Sequence, residues 1–155
     1  MGILVVGTVA LDSVETPFGK VERALGGSAT HFTAAASFLT KVALVGVVGA
    51  DFPQSHLDFL RKRDVDLRGL ETLAGKTFHW KGRYGFDLNS AETLATELNV
   101  LSEFSPKIPV ELRQHEFVFL ANIHPALQIK VLEQVQKPKL AALDTMNFWI
   151  QGEPD

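Results

Sequence analysis

Apolar residues along this chain fall into short runs separated by polar turns and by stretches of helical period. Ile3 to Val9 is rich in Val and Ile and is bounded by Gly7 and Asp12, which predicts a buried central strand with a loop at its carboxyl end. From Ser13 to Leu25, Val14, Thr16, Val21 and Arg23 alternate about Pro17-Phe18-Gly19, the pattern of a β-hairpin. Ser28 to Leu39 is Ala-rich with Phe and Leu at helical spacing, and Ser28 or Thr30 can cap it. Ala43 to Val48 predicts a second buried strand ended by Gly49-Ala50-Asp51. Asp51 can then cap a helix that has Pro53 in its first turn and runs to Arg63.

Val65 to Leu73 reads as a further strand. Thr77 to Tyr84 (TFHWKGRY) alternates and is aromatic, which predicts a strand with one polar face. Leu94 to Val100 is a less regular strand able to pair with it, and Asp87 to Glu97 reads mainly as a solvated connection. Phe117 to Ala121 is a buried strand followed by Asn122, Pro125 opens a helix to about Gln136, and Leu140 to Leu143 is a last buried strand ending at Asp144. Apolar strands alternating with helices predict an α/β fold, a doubly wound, mainly parallel sheet. The polar-faced strands do not suit such a core, and they predict a small β-sheet standing over it as a cover, formed by residues 13–25 and 76–100. One domain over residues 1–155 accounts for the whole pattern, without internal repeats or a low-complexity linker.

Composition narrows the classes. The 155 residues are 46% apolar and 21% charged with a net charge of −3, ordinary values for a globular domain with a real core. With no basic block, neither nucleic acid nor an anionic membrane is an expected partner. The longest apolar run, Val42 to Ala50, is far short of the roughly 20 residues of a spanning helix. The start MGILVVG lacks the positive region of a signal peptide, and Val6 stands where myristoylation needs Ser or Thr. Cysteine is absent, which removes disulfides, thiolate zinc and a catalytic thiol, and fits a cytoplasmic location.

In open α/β sheets ligands bind beyond the carboxyl ends of the strands. Asp12, Gly26-Gly27, Asn122 and Asp144 with Asn147 all fall there on the predicted pattern. Asp12 is either a turn aspartate or a carboxylate that accepts hydrogen bonds from two vicinal hydroxyls. Gly26-Gly27 is either a flexible turn or a place where a ligand approaches backbone at a helix N-terminus. GGSATH lacks the third glycine of the dinucleotide fingerprint, so a Rossmann oxidoreductase fails at this spacing, and no Gly-Lys-Ser/Thr follows to make a P-loop. His31 sits one turn into the helix, while His56, His79, His115 and His124 are scattered, so no metal site is expected. Trp80 and Arg83 lie on the aromatic strand, where they can close over a sugar or nucleoside. Spacing offers neither a serine–histidine–aspartate arrangement nor a glycosidase-like carboxylate pair.

LGGSATHFTAAASFLTKVALVGVVGAD, with its double glycine, helix and strand ending in a Gly-x-Asp turn, resembles the first signature of the PfkB/ribokinase family of sugar and nucleoside kinases. The hairpin at 13–25 and TFHWKGRY are similar to that family's lid strands, and LANIHPALQIKVLEQV and LAALDTMNFWI to the elements that follow. The resemblance implies a ribokinase-like fold with Asp12, Gly26, Gly27, Ser28 and His31 holding a sugar or nucleoside, and Asn122 and Asp144 at the site floor. His31 replaces the family's usual asparagine, and Ser28 stands where ribokinase-like members often have lysine. Family members are about twice as long. The other half carries the magnesium-linked Asn-x-x-Glu, the Gly-Ala-Gly-Asp motif with the catalytic aspartate, and most of the ATP pocket. ATP and Mg2+ are therefore implied for the full-length protein and not for this chain, which is expected to hold the acceptor without a catalytic base and to be inactive alone. The alternative is a non-catalytic small-molecule-binding or dimerisation module of the same fold, with a homodimer formed through the lid strands.

Overall fold

The computed structural model describes residues 2–153. In chain order its elements are β1 (Gly2–Val6), β2 (Ala10–Thr16), β3 (Gly19–Gly26), α1 (Ser28–Ala36), β4 (Lys41–Gly49), α2 (Gln54–Arg61) and β5 (Asp66–Leu73). They continue with β6 (His79–Tyr84), β7 (Ala91–Glu97), β8 (Phe117–Leu120), α3 (Pro125–Gln134), β9 (Leu140–Leu143) and α4 (Asn147–Gly152). Two short 3-10 turns, Asn99–Glu103 and Val110–Leu112, lie between β7 and β8.

The main sheet has the order β5-β4-β1-β8-β9, with every pair parallel. Alternation within its strands divides the core into two layers. Leu4, Val6, Ala43, Val45 and Val47 face Val131 of α3 and the 3-10 segment residues Val100, Phe104 and Leu112. Val5, Val42, Leu44 and Val48 face the other way, toward Ala29 of α1 and Leu60 of α2. Phe32 of α1 stacks on Phe119 of β8, with ring centroids 3.7 Å apart. Strands buried on both faces read as continuous apolar runs, which is the doubly wound α/β arrangement expected from the pattern. Because β4 and β8 lie on opposite sides of β1, the order reverses there, which makes the carboxyl end of β1 the topological switch point at which open α/β sheets bind ligands.

A second sheet, β3-β2-β6-β7, stands beside the first. Its β2–β3 and β6–β7 pairs are antiparallel, and β2 and β6 join them in parallel. Asp51, in the turn after β4, fixes the foot of this sheet. Its Oδ1 accepts from the Thr77 N–H at 2.7 Å and hydroxyl at 2.8 Å, and its Oδ2 accepts from Arg23 of β3 at 2.5 Å. The Thr77 hydroxyl in turn accepts from Gly49 N–H at the end of β4.

The structure departs from the sequence expectations at several places. The first strand stops at Val6, because Gly7 to Val9 leave the sheet and Thr8 is drawn to the start of α1. Asp12 is therefore inside β2 and not in a loop. Ser28 is the first helical residue, preceded by Gly27, and the cap of α1 comes from Thr8. Asp51 is held by Thr77 and Arg23, so Pro53 and not Asp51 precedes α2. Residues 91–97, expected largely as a solvated connection, form β7 because β6 offers them a ladder. Leu140 to Leu143, expected to be buried, are exposed, since β9 is the sheet's edge and pairs with β8 alone.

Burial pushes the Asp51 carboxyl up, but the Thr77 and Arg23 hydrogen bonds outweigh it and hold the group below the usual carboxylate range. A lowered folded-state pKa contributes stability that is fully present above the unfolded value of about 3.9 and is lost as pH falls through the folded one. Asp51→Asn should therefore cost about 1 kcal/mol near neutrality, the pair being partly solvated, and the cost should shrink below pH 4 in urea melts. A pH-independent difference would contradict this role for the charge.

Candidate functional site

Gly26 and Gly27 end β3 and lead into α1. At Gly26 a Cβ would fall on the Asp12 carboxylate, so that carboxylate lies flat on the backbone. Gly27 has φ +94°, a left-handed conformation that L side chains resist, and a Cβ there would meet the Thr8 carbonyl. Thr8 closes the other side of this turn. Its Oγ1 accepts from Ser28 N–H and its carbonyl from Ala29 N–H, both at 3.1 Å, and its hydroxyl lies 3.1 Å from Ser28 Oγ. The first amides of α1 are thus already occupied, and Ser28 is tied to Thr8.

Asp12 is half-buried on β2. Burial raises its carboxyl above the ordinary value, opposed by the Gly27 N–H and by the positive charge of His31 and His79. Such a group lacks the solvation that a carboxylate prefers and accepts hydrogen bonds readily. Asp12 is in register with Trp80 of β6, and paired residues project from the same face. Trp80 lies across Gly82, with its indole N–H on Thr93 Oγ1 at 3.2 Å. An aromatic plane and a carboxylate therefore share one face of the second sheet. His31, exposed one turn into α1, borders the same region.

Arg83 does not join them. It is in register with Glu15, so it projects from the opposite face, where Nε donates to Glu15 Oε1 at 3.1 Å and Nη1 lies 3.8 Å from Glu92. That face also carries Ser13, buried, whose Oγ lies 2.9 Å from His79 Nε2 and accepts from Arg23 N–H at 3.1 Å.

Asn122 and Asp144 form a second group at the carboxyl ends of β8 and β9. Asn122 Oδ1 accepts from the Trp149 indole at 2.8 Å, and its amide donates to Met146 Sδ at 3.1 Å, which docks α4. Asp144 is half-buried and its carboxyl is raised by that burial. Gln128 of α3 joins the two strand ends, its Nε2 donating to the carbonyls of Leu120, Ala121 and Asp144. Sequence reasoning did not single out Gln128, although a lone amide one turn before Val131 on the apolar face of α3 is the signal that could have done so. Thr8 was also missed, and its role depends on a contact twenty positions away. Among the described residues no group of three or more His, Asp or Glu is placed to hold a metal ion, and no helix is long and apolar enough to cross a membrane.

No family model matches the sequence. The chain is 30% identical over 138 residues to a cytidine kinase of Thermococcus kodakarensis, which covers 88% of this chain and 49% of that protein. It therefore spans about half the length of the curated relative that it matches. Among solved structures, a Burkholderia thailandensis nucleoside kinase in complex with inosine superposes with TM-score 0.77 at 18% identity, over 98% of this chain and 52% of the other. The nucleoside kinase of Methanocaldococcus jannaschii, an archaeal member of the ribokinase family, gives TM-score 0.69 at 18% identity, over 92% and 52%.

Gly26→Ala should destabilise the chain by roughly 1–3 kcal/mol through collision with the Asp12 carboxylate. Asp12→Ala removes the collision partner, so the double variant should recover most of that loss in a double-mutant cycle of urea unfolding. Strict additivity would show that the two residues do not touch.

Proposed function

We propose that this ribokinase-like chain, which matches the first half of that family, is the acceptor-binding side of an ATP-dependent kinase that phosphorylates a nucleoside or sugar hydroxyl. The observation that carries this reading is the Asp12 carboxylate, which lies on Gly26, accepts from Gly27 N–H and shares a face of the second sheet with Trp80. An ionised carboxylate can accept from two neighbouring hydroxyls at once, which matches a ribose or hexose diol. A side chain on Gly26 would occupy the space of that carboxylate. Trp80 supplies an apolar plane against a ring, and His31 a further polar contact at the helix end.

The 30% identity to a cytidine kinase favours a nucleoside over a simple sugar. In phosphoryl transfer, catalysis is chiefly positioning and charge stabilisation. The described residues offer no carboxylate cluster that fits magnesium, and we assign no step to the metal or to ATP here. What this half does is orient the acceptor and exclude water from it. In this reading the 155-residue chain assayed alone binds acceptor without turnover.

A second reading is a binding or dimerisation module of the same fold. It is favoured by the exposed apolar edge at β9 and α4, where Leu140, Leu143, Phe148 and Ile150 are each more than half exposed. A homodimer through the β2, β3, β6 and β7 strands belongs to this reading as well.

Ligand-induced thermal stabilisation across nucleosides and sugars tests the first reading. Asp12→Asn should weaken acceptor binding about 10- to 100-fold, the loss of charge-assisted hydrogen bonds. It should not destabilise the free protein. Because the Asp12 pKa is raised on folding, its ionisation opposes folding above the folded value, and this penalty is relieved as pH falls through that value toward the unfolded one. A variant that binds normally would remove Asp12 from the site.

A further inference from the structure

On the face of the second sheet turned away from Asp12 and Trp80, Ser13 and His79 are hydrogen-bonded, with Oγ and Nε2 2.9 Å apart. Ser13 follows Asp12 on β2, and His79 precedes Trp80 on β6. Asp12 and Trp80 are in register, so each of these two front residues has its chain neighbour in the bond behind. Ser13, 4% exposed, also stands at a β-bulge. Between the pairs Asp12–Ala24 and Val14–Val21, β2 has one residue, Ser13, and β3 has two, Glu22 and Arg23. Arg23 has φ +52°, a left-handed conformation that a residue with a Cβ keeps only where its surroundings impose it. Its N–H donates to Ser13 Oγ at 3.1 Å, and its guanidinium donates to Asp51. Bulges bend a strand and re-aim the side chains beside them. Here the side chain beside the bulge is Asp12.

Proton accounting assigns the roles in this network. A serine hydroxyl has one proton to give and two lone pairs. Ser13 Oγ accepts from Arg23 N–H, and its other partner is His79 Nε2. The buried hydroxyl is satisfied when its proton goes to an unprotonated Nε2, which puts the imidazole in its Nδ1–H form. Nδ1 is turned toward Glu97 of β7, which is in register with His79 and 3.8 Å away. The group facing one ring nitrogen sets the tautomer that the other nitrogen presents. The bonds thus run from β3 through β2 to β6, with a carboxylate of β7 at the end. Serine, histidine and carboxylate stand here in the order of a nucleophilic triad. Ser13 is nevertheless buried and its oxygen is already an acceptor, so the arrangement suits holding and not attack.

We propose that His79 is a positioning residue for the acceptor site: through Ser13 it holds the bulge between β2 and β3 in the form that fixes the Asp12 carboxylate relative to Trp80. The proposal rests on the acceptor-binding reading above and adds to it the support behind the carboxylate. Binding groups keep an accurate geometry when the residues behind them are locked by packing and hydrogen bonds. Ser13 and His79 lie on the face opposite Asp12 and act on the acceptor only through it.

Two uncharged substitutions at His79 separate its hydrogen bond from the charge that the ring can place near Asp12. His79→Gln offers Ser13 an amide oxygen in place of Nε2, whereas His79→Leu offers no acceptor. Amide hydrogen exchange at Arg23 should become roughly tenfold faster in Ser13→Ala. It should also rise in His79→Leu and return to the unsubstituted rate in His79→Gln. In calorimetric titration, cytidine should bind His79→Leu roughly tenfold more weakly and His79→Gln within about twofold of the unsubstituted chain. Both His79 variants keep the Ser13 hydroxyl as a partner for Arg23 N–H, so the test stands even if Ser13→Ala folds poorly. An Nε2–H tautomer of His79 in the nitrogen NMR spectrum would overturn the proposal. Equal cytidine binding by the two His79 variants, with the unsubstituted chain binding, would overturn it alone and leave the acceptor reading intact. An unsubstituted chain that binds neither cytidine nor D-ribose overturns the acceptor reading and the positioning role together.

Discussion

The close approach of Thr8, Gly26, Gly27 and Asp12 is the contact on which the rest of this structure depends. Thr8 leaves the central strand and gives its carbonyl and hydroxyl to the first amides of α1. This is possible only because Gly27 adopts a left-handed conformation with no Cβ in the way. The same turn holds β3 against β2, so Asp12 rests on Gly26. One short stretch of backbone therefore starts the helix that covers one face of the main sheet, begins the second sheet, and positions a half-buried carboxylate between them. A capping interaction is ordinarily worth about 1 kcal/mol, but here it also determines the geometry of the candidate site.

The second sheet is anchored at two points, and they differ in kind. Near Asp12 it is tied to the main sheet through Thr8, which lies between β1 and β2 and accepts from the first amides of α1. At its foot it is held by Asp51, through hydrogen bonds to Thr77 and Arg23. The two carboxyls are consequently shifted in opposite directions, Asp12 up and Asp51 down. Asp51 is paired with Thr77 and Arg23, whereas the Asp12 carboxyl is raised by burial and opposed chiefly by the Gly27 N–H.

Similarity to relatives bears on the fold. The chain matches about half of a cytidine kinase and about half of two nucleoside kinases of known structure. At the carboxyl ends of its strands this chain carries two polar groups, one around Asp12 and one of Asn122, Gln128 and Asp144. In the second group the Asn122 side chain docks α4, and the Gln128 amide bridges β8 to β9 through the backbone carbonyls of Leu120, Ala121 and Asp144.

Local pattern was sufficient for the doubly wound sheet, because apolar runs in β1, β4 and β8 and helical spacing in α1 and α3 are short-range features. The glycine pair, Asp12 and the aromatic strand were also visible, since each depends on residue type and near neighbours. What the sequence could not reveal were relations set by register and by contacts distant in the chain. A strand's face is decided by its partner, so Trp80 and Arg83, three residues apart, were expected together, yet a β-bulge-free register with β2 puts them on opposite faces. Capping by Thr8 spans twenty positions, and the Asp51–Thr77 link spans 26. The packing of α1 and α2 on one face of the sheet is likewise set by contacts far apart in the chain, such as Ala29 and Leu60 in one core layer. Periodicity determines which residues are buried, but only the packed fold decides which of them meet, because strand register and helix packing join positions distant in sequence.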